Sequence, residues 1–308
     1  MAEGRVIVIA GPTASGKSAL ALALAEQRSG TVINADAMQT YDAFPILTAQ
    51  PTRDERARVP HALYGVMPLS ETLSATRWRT LASAEIERCL VAGRTPILCG
   101  GSGLYLRTLM QGIVPIPDVP SGVREQANAD WQALGPDAFR TRLAEKDPAI
   151  VERLKPGDRQ RHIRAWEVAL ATGRPLSAWQ SATEIPAPWR FATVLLAPER
   201  AWLRERIERR FDVMLGQGVL AEVRAVFDRA PDPRWPGLKA HGAPELFRHF
   251  RGELALEKAR QIAIDHTRQY AKRQMTWFRH QMAPDVVVDP ESAQSLESVA
   301  QYLTKTEV

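Results

Sequence analysis

The chain has 308 residues, 45% of them hydrophobic and 24% charged, with 40 Lys and Arg against 35 Asp and Glu for a net charge of +5. This is the composition of an ordinary soluble enzyme, long enough for a main domain plus a smaller one. The charge permits a polyanionic partner without requiring one. Two cysteines, Cys89 and Cys99, are too few for a disulfide framework or a cysteine-rich zinc site, and no run of about 18 apolar residues offers a membrane span.

In chain order, the run RVIVIA is too short for a signal peptide and reads instead as a first buried strand, residues 5–10. Similar runs at 31–35, 95–99 and 191–197 predict further strands of a parallel sheet. The first three each lead into a turn and a helical pattern, so the expected fold is α/β: a P-loop NTPase-like parallel sheet core flanked by helices. The buried thiols of Cys89 and Cys99 in their apolar surroundings fit a reducing cytoplasm.

After the first strand, Gly11, Gly16, Lys17 and Ser18 satisfy G-x-x-x-x-G-K-[ST], followed by a predicted helix over 18–28. The glycines let backbone N–H groups turn inward on a polyphosphate, and the helix N-terminus adds its dipole. Lys17 supplies a point charge, and Ser18 is a candidate Mg²⁺ ligand. Asp36, at the end of the second strand, has two readings. An isolated Asp there is a turn or helix-cap residue; beside a phosphate loop, it is a carboxylate able to take a proton from an attacking group. The third strand leads into GGSGLY, residues 100–105. Ligands bind at the carboxyl ends of parallel strands, so these three segments should share one crevice. A P-loop kinase normally has a metal-holding carboxylate at the end of a later strand, where this sequence has two glycines. That counts against phosphoryl transfer, although Asp36 could fill the role.

Between residues 115 and 186 a Pro-rich lead-in gives way to helical patterns without a strand. This predicts an inserted helical subdomain over 118–190 within a core of 1–117 and 191–308. Its stretch 153–164 carries Arg153, Lys155, Arg159, Arg161 and Arg164 against Asp158 alone. Farther on, a helix with Leu203, Ile207, Phe211 and Leu215 precedes a long one over about 254–282, where Arg268, Lys272 and Arg279 fall near one face. Solvated helix surfaces explain one such basic run; two, in a protein with a phosphate crevice, favour a large polyanion. Trp202 and Trp277 read as core packing rather than base stacking.

The segments GPTASGKS, NADAMQTYDAF, TAQP, GGSGLYLRTL, RQRHIRAWEV, RIERRFDVML and TRQYAKRQMTWFR occur in an order that resembles the tRNA dimethylallyltransferases, over nearly the whole chain. The resemblance implies transfer of a dimethylallyl group from dimethylallyl diphosphate to the exocyclic amine of the adenosine 3′ of the anticodon. The tRNAs would be those reading codons that begin with U, Mg²⁺ the ion, and the enzyme a cytoplasmic monomer. The loop residues Gly11, Pro12, Thr13, Ala14, Ser15, Gly16, Lys17 and Ser18 would then hold a diphosphate that leaves.

Carried over by position, Asp36 is the general base, Thr13 a donor to the bridging oxygen and Arg210 the group that neutralises the diphosphate. Asp36, Ala37, Met38, Gln39, Ser102, Arg124, Gln160, Arg161, His162, Ile163 and Arg164 match tRNA-contacting positions, with Ser102 where the family commonly has Thr. The helical insertion would grip the anticodon loop while the target base is splayed into the crevice. Three segments depart from the family pattern: Gln50 replaces a lysine, AFPIL replaces GMDIG, and KAHGAPE stands where many members read VGYKE. Other readings of the same residues are a prenyltransferase acting on free adenine nucleotides, a small-molecule P-loop kinase, and a noncatalytic RNA-binding protein. The arginines at 153–164 discriminate against the first, the missing strand-end carboxylate against the second, and the last leaves Lys17 and Asp36 without a purpose.

Overall fold

The computed structural model describes residues 4–114, 116–181, 186–292, 299 and 301–303. The chain divides into two compact units, Met1–Met110 with Ala187–Val308, and Gln111–Pro186.

The first unit is built on a six-stranded parallel sheet. Its elements begin with β1 (Arg5–Ala10), α1 (Lys17–Gln27), β2 (Thr31–Asn34), α2 (Arg53–Arg58) and β3 (His61–Ala62). They continue with α3 (Ala75–Val91), β4 (Pro96–Gly100) and α4 (Gly103–Met110). β1 is apolar at successive positions because both of its faces are covered. Val6, Val8 and Ala10 join a core with α3 residues Trp78, Ala82 and Ile86. Ile7 and Ile9 alternate to the other side, against Leu20, Leu24 and Ala25 of α1. Each such aliphatic side chain contributes about 1.5–3 kcal/mol by leaving water.

The second unit is helical, with α5 (Ser121–Ala144), α6 (Pro148–Arg153), α7 (Arg159–Thr172) and α8 (Leu176–Gln180). Gly135, at φ 72°, and Pro136 break α5 in two. Trp131, Phe139, Leu143, Ala165 and Trp166 form a core of its own. The fully buried Asp147 caps α6 through Ile150 N at 3.1 Å and accepts from Ser177 N at 2.9 Å, tying α6 to α8. This unit starts and ends earlier than the 118–190 expected: Ile116 packs with its core, whereas Arg190 already belongs to the sheet.

The chain then returns to the first unit with β5 (Arg190–Leu196), α9 (Arg200–Gly216), α10 (Val219–Phe227), α11 (Ala243–Phe250), α12 (Leu256–Gln281) and β6 (Val286–Val288). Where it re-enters, Ala187 N donates to Leu109 O at 3.2 Å. The sheet order is β3-β2-β4-β1-β5-β6, all pairs parallel. The four strands expected from apolar runs are present within one residue at each end. The second stops at Asn34 because that side chain turns the chain, accepting from Asp36 N at 2.8 Å and donating to Leu63 O at 3.0 Å. β3 and β6 were not expected; they are edge strands of two and three residues, too short to leave a pattern.

Candidate active site

The sheet order makes β2, β4 and β1 neighbours, so their carboxyl ends deliver Asp36, the 100–105 turn and the phosphate loop side by side. The turn after β4 is fastened to both sides. Ser102 N donates to Ala35 O at 3.1 Å, and Ala37 N donates to Ser102 Oγ at 2.9 Å, so Ser102 holds both residues that flank Asp36. Gly100 is needed here, because a Cβ would fall 2.1 Å from the Ala35 carbonyl carbon. On the other side, Thr13 N donates to Gln274 Oε1 at 2.8 Å, while Gln274 Nε2 donates to Gly101 O at 3.0 Å.

Asp36 forms the turn of one sequence reading and stands in the crevice where the other would need it. Its Oδ1 accepts from Met38 N at 3.0 Å, an Asx turn that starts the loop, and the carboxylate also lines a cavity with Thr13, Lys17, Ser18 and Arg210. In the phosphate loop, Lys17 Nζ donates to Pro12 O at 2.8 Å. Arg206 Nε donates to Ala14 O at 3.1 Å while its guanidinium lies 4.6 Å from the Trp202 ring centroid. Ser15 is fully buried, its Oγ without a hydrogen-bond partner among the described residues.

Two cavities meet at this loop. The one holding Asp36 has a volume of about 90 Å³ and is closed by Tyr270, His241 and apolar Leu47, Phe211 and Met214. The other, about 750 Å³, lies against Ser15, Gly16, Arg206, Arg209 and Tyr64. Ala14, Lys17, Ser18, Arg210 and Met214 line both and so form the wall between them, with Lys17, Ser18 and Arg210 its polar part.

The wall is electrostatically poised. Burial pushes the Lys17 ammonium below its ordinary pKa, with Asp36 opposing and Arg210 reinforcing the shift. Arg210, whose Nη2 donates to Thr48 O at 3.3 Å, is lowered by burial and raised by Asp36. Beneath them the Cys99 thiol is pushed up to about 11, chiefly by burial, and stays protonated and inert. His241 is lowered by burial, its ring 4.6 Å from that of Tyr270, whose own phenol is raised by burial and by Asp36. Ser18 and Asp36 bring side-chain oxygens to the lining of the smaller cavity. Among the described residues no group of three His, Cys, Asp or Glu side chains could hold a metal by itself.

The structure brings Thr13, Ala14, Lys17, Ser18, Asp36, Met38, Gln39 and Arg210 to the smaller cavity. Gln39 Nε2 donates to Thr48 O and Ala49 O at 2.9 and 2.7 Å, closing the loop over it. Of the other residues expected to touch tRNA, Ala37 and Ser102 lie beside Asp36 in the first unit, and the rest belong to the helical unit. Gln160 and Arg161 are exposed on the first turn of α7, whereas Arg124 and Arg164 converge on Glu167 at 3.6 and 2.7 Å. His162 is 0% and Ile163 7% exposed, both side chains packed in the helical unit. On α12, Arg268 is taken up by Glu208 and Asp265, while Lys272 and Arg279 are exposed. Trp202 and Trp277 are partly buried against apolar clusters, as packing residues should be.

Sequence reasoning missed Thr48, Thr267, Tyr270 and Gln274 as site residues, and assigned none of the 239–245 segment that places His241 in the cavity. A signal existed for three of them. Thr267, Tyr270 and Gln274 follow a helical 3–4 spacing inside the segment TRQYAKRQMTWFR, which puts them on one face.

A family model described as IPP transferase matches residues 39–281. The chain is 51% identical over 299 residues to a tRNA dimethylallyltransferase of Rhodospirillum centenum, covering 96% of this chain and 95% of that one. It is 50% identical over 281 residues to one of Granulibacter bethesdensis, covering 91% and 88%. Among solved structures, the full-length tRNA isopentenylpyrophosphate transferase of Bacillus halodurans superposes with a TM-score of 0.71 at 29% identity, over 98% of this chain and 96% of that one. A eukaryotic dimethylallyltransferase acting on tRNA gives a TM-score of 0.81 at 28% identity, over 98% and 77%.

Proposed function

The chain belongs to the IPP transferase family, and from that premise we propose that it transfers a dimethylallyl group from dimethylallyl diphosphate to tRNA, onto the exocyclic amine of the adenosine 3′ of the anticodon. The tRNAs are those reading codons that begin with U. The observation that carries this reading is that Lys17, Ser18 and Arg210 are the polar residues of the wall shared by two cavities, with Asp36 on one side of it only. A diphosphate held at the wall presents its ester carbon to an amine entering beside Asp36.

In the reaction, the amine nitrogen forms a bond to the prenyl carbon as the carbon–oxygen bond to diphosphate breaks. The electron pair of that bond leaves with the diphosphate, and Asp36 takes the amine proton. Thr13 donates to the bridging oxygen, while Arg210 and Lys17 offset the charge that develops on the leaving group. Fixed positive groups in a site that excludes water are worth most at that moment. Mg²⁺ fits the donor set: Ser18 would be its protein ligand, with diphosphate oxygens and water completing the shell, and its charge would further neutralise the diphosphate. Gly100 and Gly101 stand at the end of β4, where phosphoryl transfer would want a metal-holding carboxylate, which supports prenyl over phosphoryl transfer.

The helical unit supplies Gln160, Arg161, Arg164 and Arg124 for the tRNA backbone. Two buried, unpaired thiols support a reducing, cytoplasmic setting, and among the described residues no helix is long and apolar enough to cross a membrane. The test is incubation with unmodified tRNA and labelled dimethylallyl diphosphate, without ATP, followed by nucleoside analysis. Prenylated adenosine is the expected product; consumption of nucleoside triphosphate with no such product overturns the proposal.

A further inference from the structure

We infer that Gln274 is a positioning residue for the transfer, setting the distance between the group that serves the leaving oxygen and the group that serves the attacking nitrogen. The inference rests on the prenyl transfer proposed above. Gln274 lies on α12 and is only 5% exposed, an uncommon place for an amide side chain unless both of its ends are satisfied. Both are. Its Oε1 accepts from Thr13 N at 2.8 Å, and its Nε2 donates to Gly101 O at 3.0 Å. The amide lies close over this turn, since a Cβ on Gly101 would sit 2.1 Å from that Nε2.

The two bonds complete a short path. Gly101 is followed by Ser102, and Ser102 bonds Ala35 O and Ala37 N, the residues on either side of Asp36. Thr13 is therefore tied to the Asp36 segment through one side chain and one turn. Tyr270, one turn earlier on α12, adds a brace: its phenol interacts with the side chains of both Ser102 and Gln274. A phosphate loop ordinarily turns its amides toward the ligand. Here the Thr13 amide is instead taken up by Gln274, at a residue that lines the smaller cavity. Displacement at carbon needs attacker and leaving group held on opposite sides of one atom, and misplacement by about 1 Å can lower the rate about 10²-fold.

Gln274→Met keeps the side-chain length and removes both bonds. The expected result is a fall in kcat of about 10²-fold with KM for tRNA and for dimethylallyl diphosphate within about threefold of native. Gln274→Glu gives a second readout. Ionised, it cannot donate to Gly101 O; protonated, it again offers one donor and one acceptor. The ratio of its kcat to that of the native enzyme should therefore rise as pH falls through the raised pKa of a buried carboxyl. A native-like kcat in Gln274→Met overturns the inference, as does a change confined to KM or to thermal stability. Should Gln274→Met not fold, a pH-independent ratio for Gln274→Glu overturns it. Failure of the native enzyme to make prenylated tRNA strikes instead at the proposed function.

Discussion

Asp36 accepts the Met38 amide hydrogen on Oδ1 at 3.0 Å, and the same carboxylate opens onto the smaller cavity. The two duties separate under substitution. Asp36→Asn retains an oxygen for Met38 N and loses the base, so kcat should fall about 10²–10⁴-fold while tRNA binding and Tm stay near native. Asp36→Ala should in addition lower Tm through the lost turn. Single-turnover assays with filter binding and calorimetry distinguish them; loss of tRNA binding in Asp36→Asn would make the residue structural.

Burial depresses the Lys17 pKa, so in the folded protein its charged form is penalised relative to the unfolded chain. The penalty is present in full below the lowered folded pKa and fades as pH rises from there to the ordinary 10.5. Lys17→Met should therefore raise Tm near neutral pH. The gain should shrink at alkaline pH. Diphosphate should raise the native Tm and leave that of Lys17→Met unchanged, which thermal scans with and without the anion will show.

Glu222 anchors the 45–50 loop by accepting Ile46 N and Leu47 N at 2.6 and 2.9 Å. Burial raises its pKa while the two amides oppose that shift. Glu222→Ala leaves both donors without their carboxylate, with an expected loss of about 1–3 kcal/mol of stability. Leu47 and Thr48 line the smaller cavity, so KM for the prenyl donor should rise along with the fall in denaturation midpoint. Loss of stability with donor KM unchanged would detach this loop from the donor site.

Arg161 is 73% and Arg164 40% exposed in their side chains, each held by an acid within its own helix turn. Replacing both with Glu should weaken tRNA binding and reduce the slope of log K against log salt by about 1 for each phosphate that is no longer neutralised. Titrations at several salt concentrations measure this directly, and an unaltered slope takes the pair out of the interface.

How much of this could be read beforehand depended on range. The phosphate loop and four strands carry their signals within a dozen residues, and a continuous apolar run such as Val6–Ala10 announces burial on both faces. Asp36 was legible as two alternatives, and the structure shows the turn while placing the residue in the cavity lining. Gln274 was not legible: its partners, Thr13 and Gly101, are 261 and 173 positions away, and nothing local marks an amide on a helix as the one that turns inward. The burial of His162 was hidden for a different reason. The residue lies among arginines in sequence, yet helical geometry rotates it into the core beside Trp131.

The hydrogen bond from Ala187 N to Leu109 O gives the helical unit a single doorway. Chain leaves and returns at adjacent points, so whatever is threaded between them adds no strain to the pairing of β5 with β1. Such a cassette can be lengthened, trimmed or exchanged without rebuilding the sheet. Under the proposed function, tRNA recognition can thus diverge on a different evolutionary clock from bond-breaking chemistry.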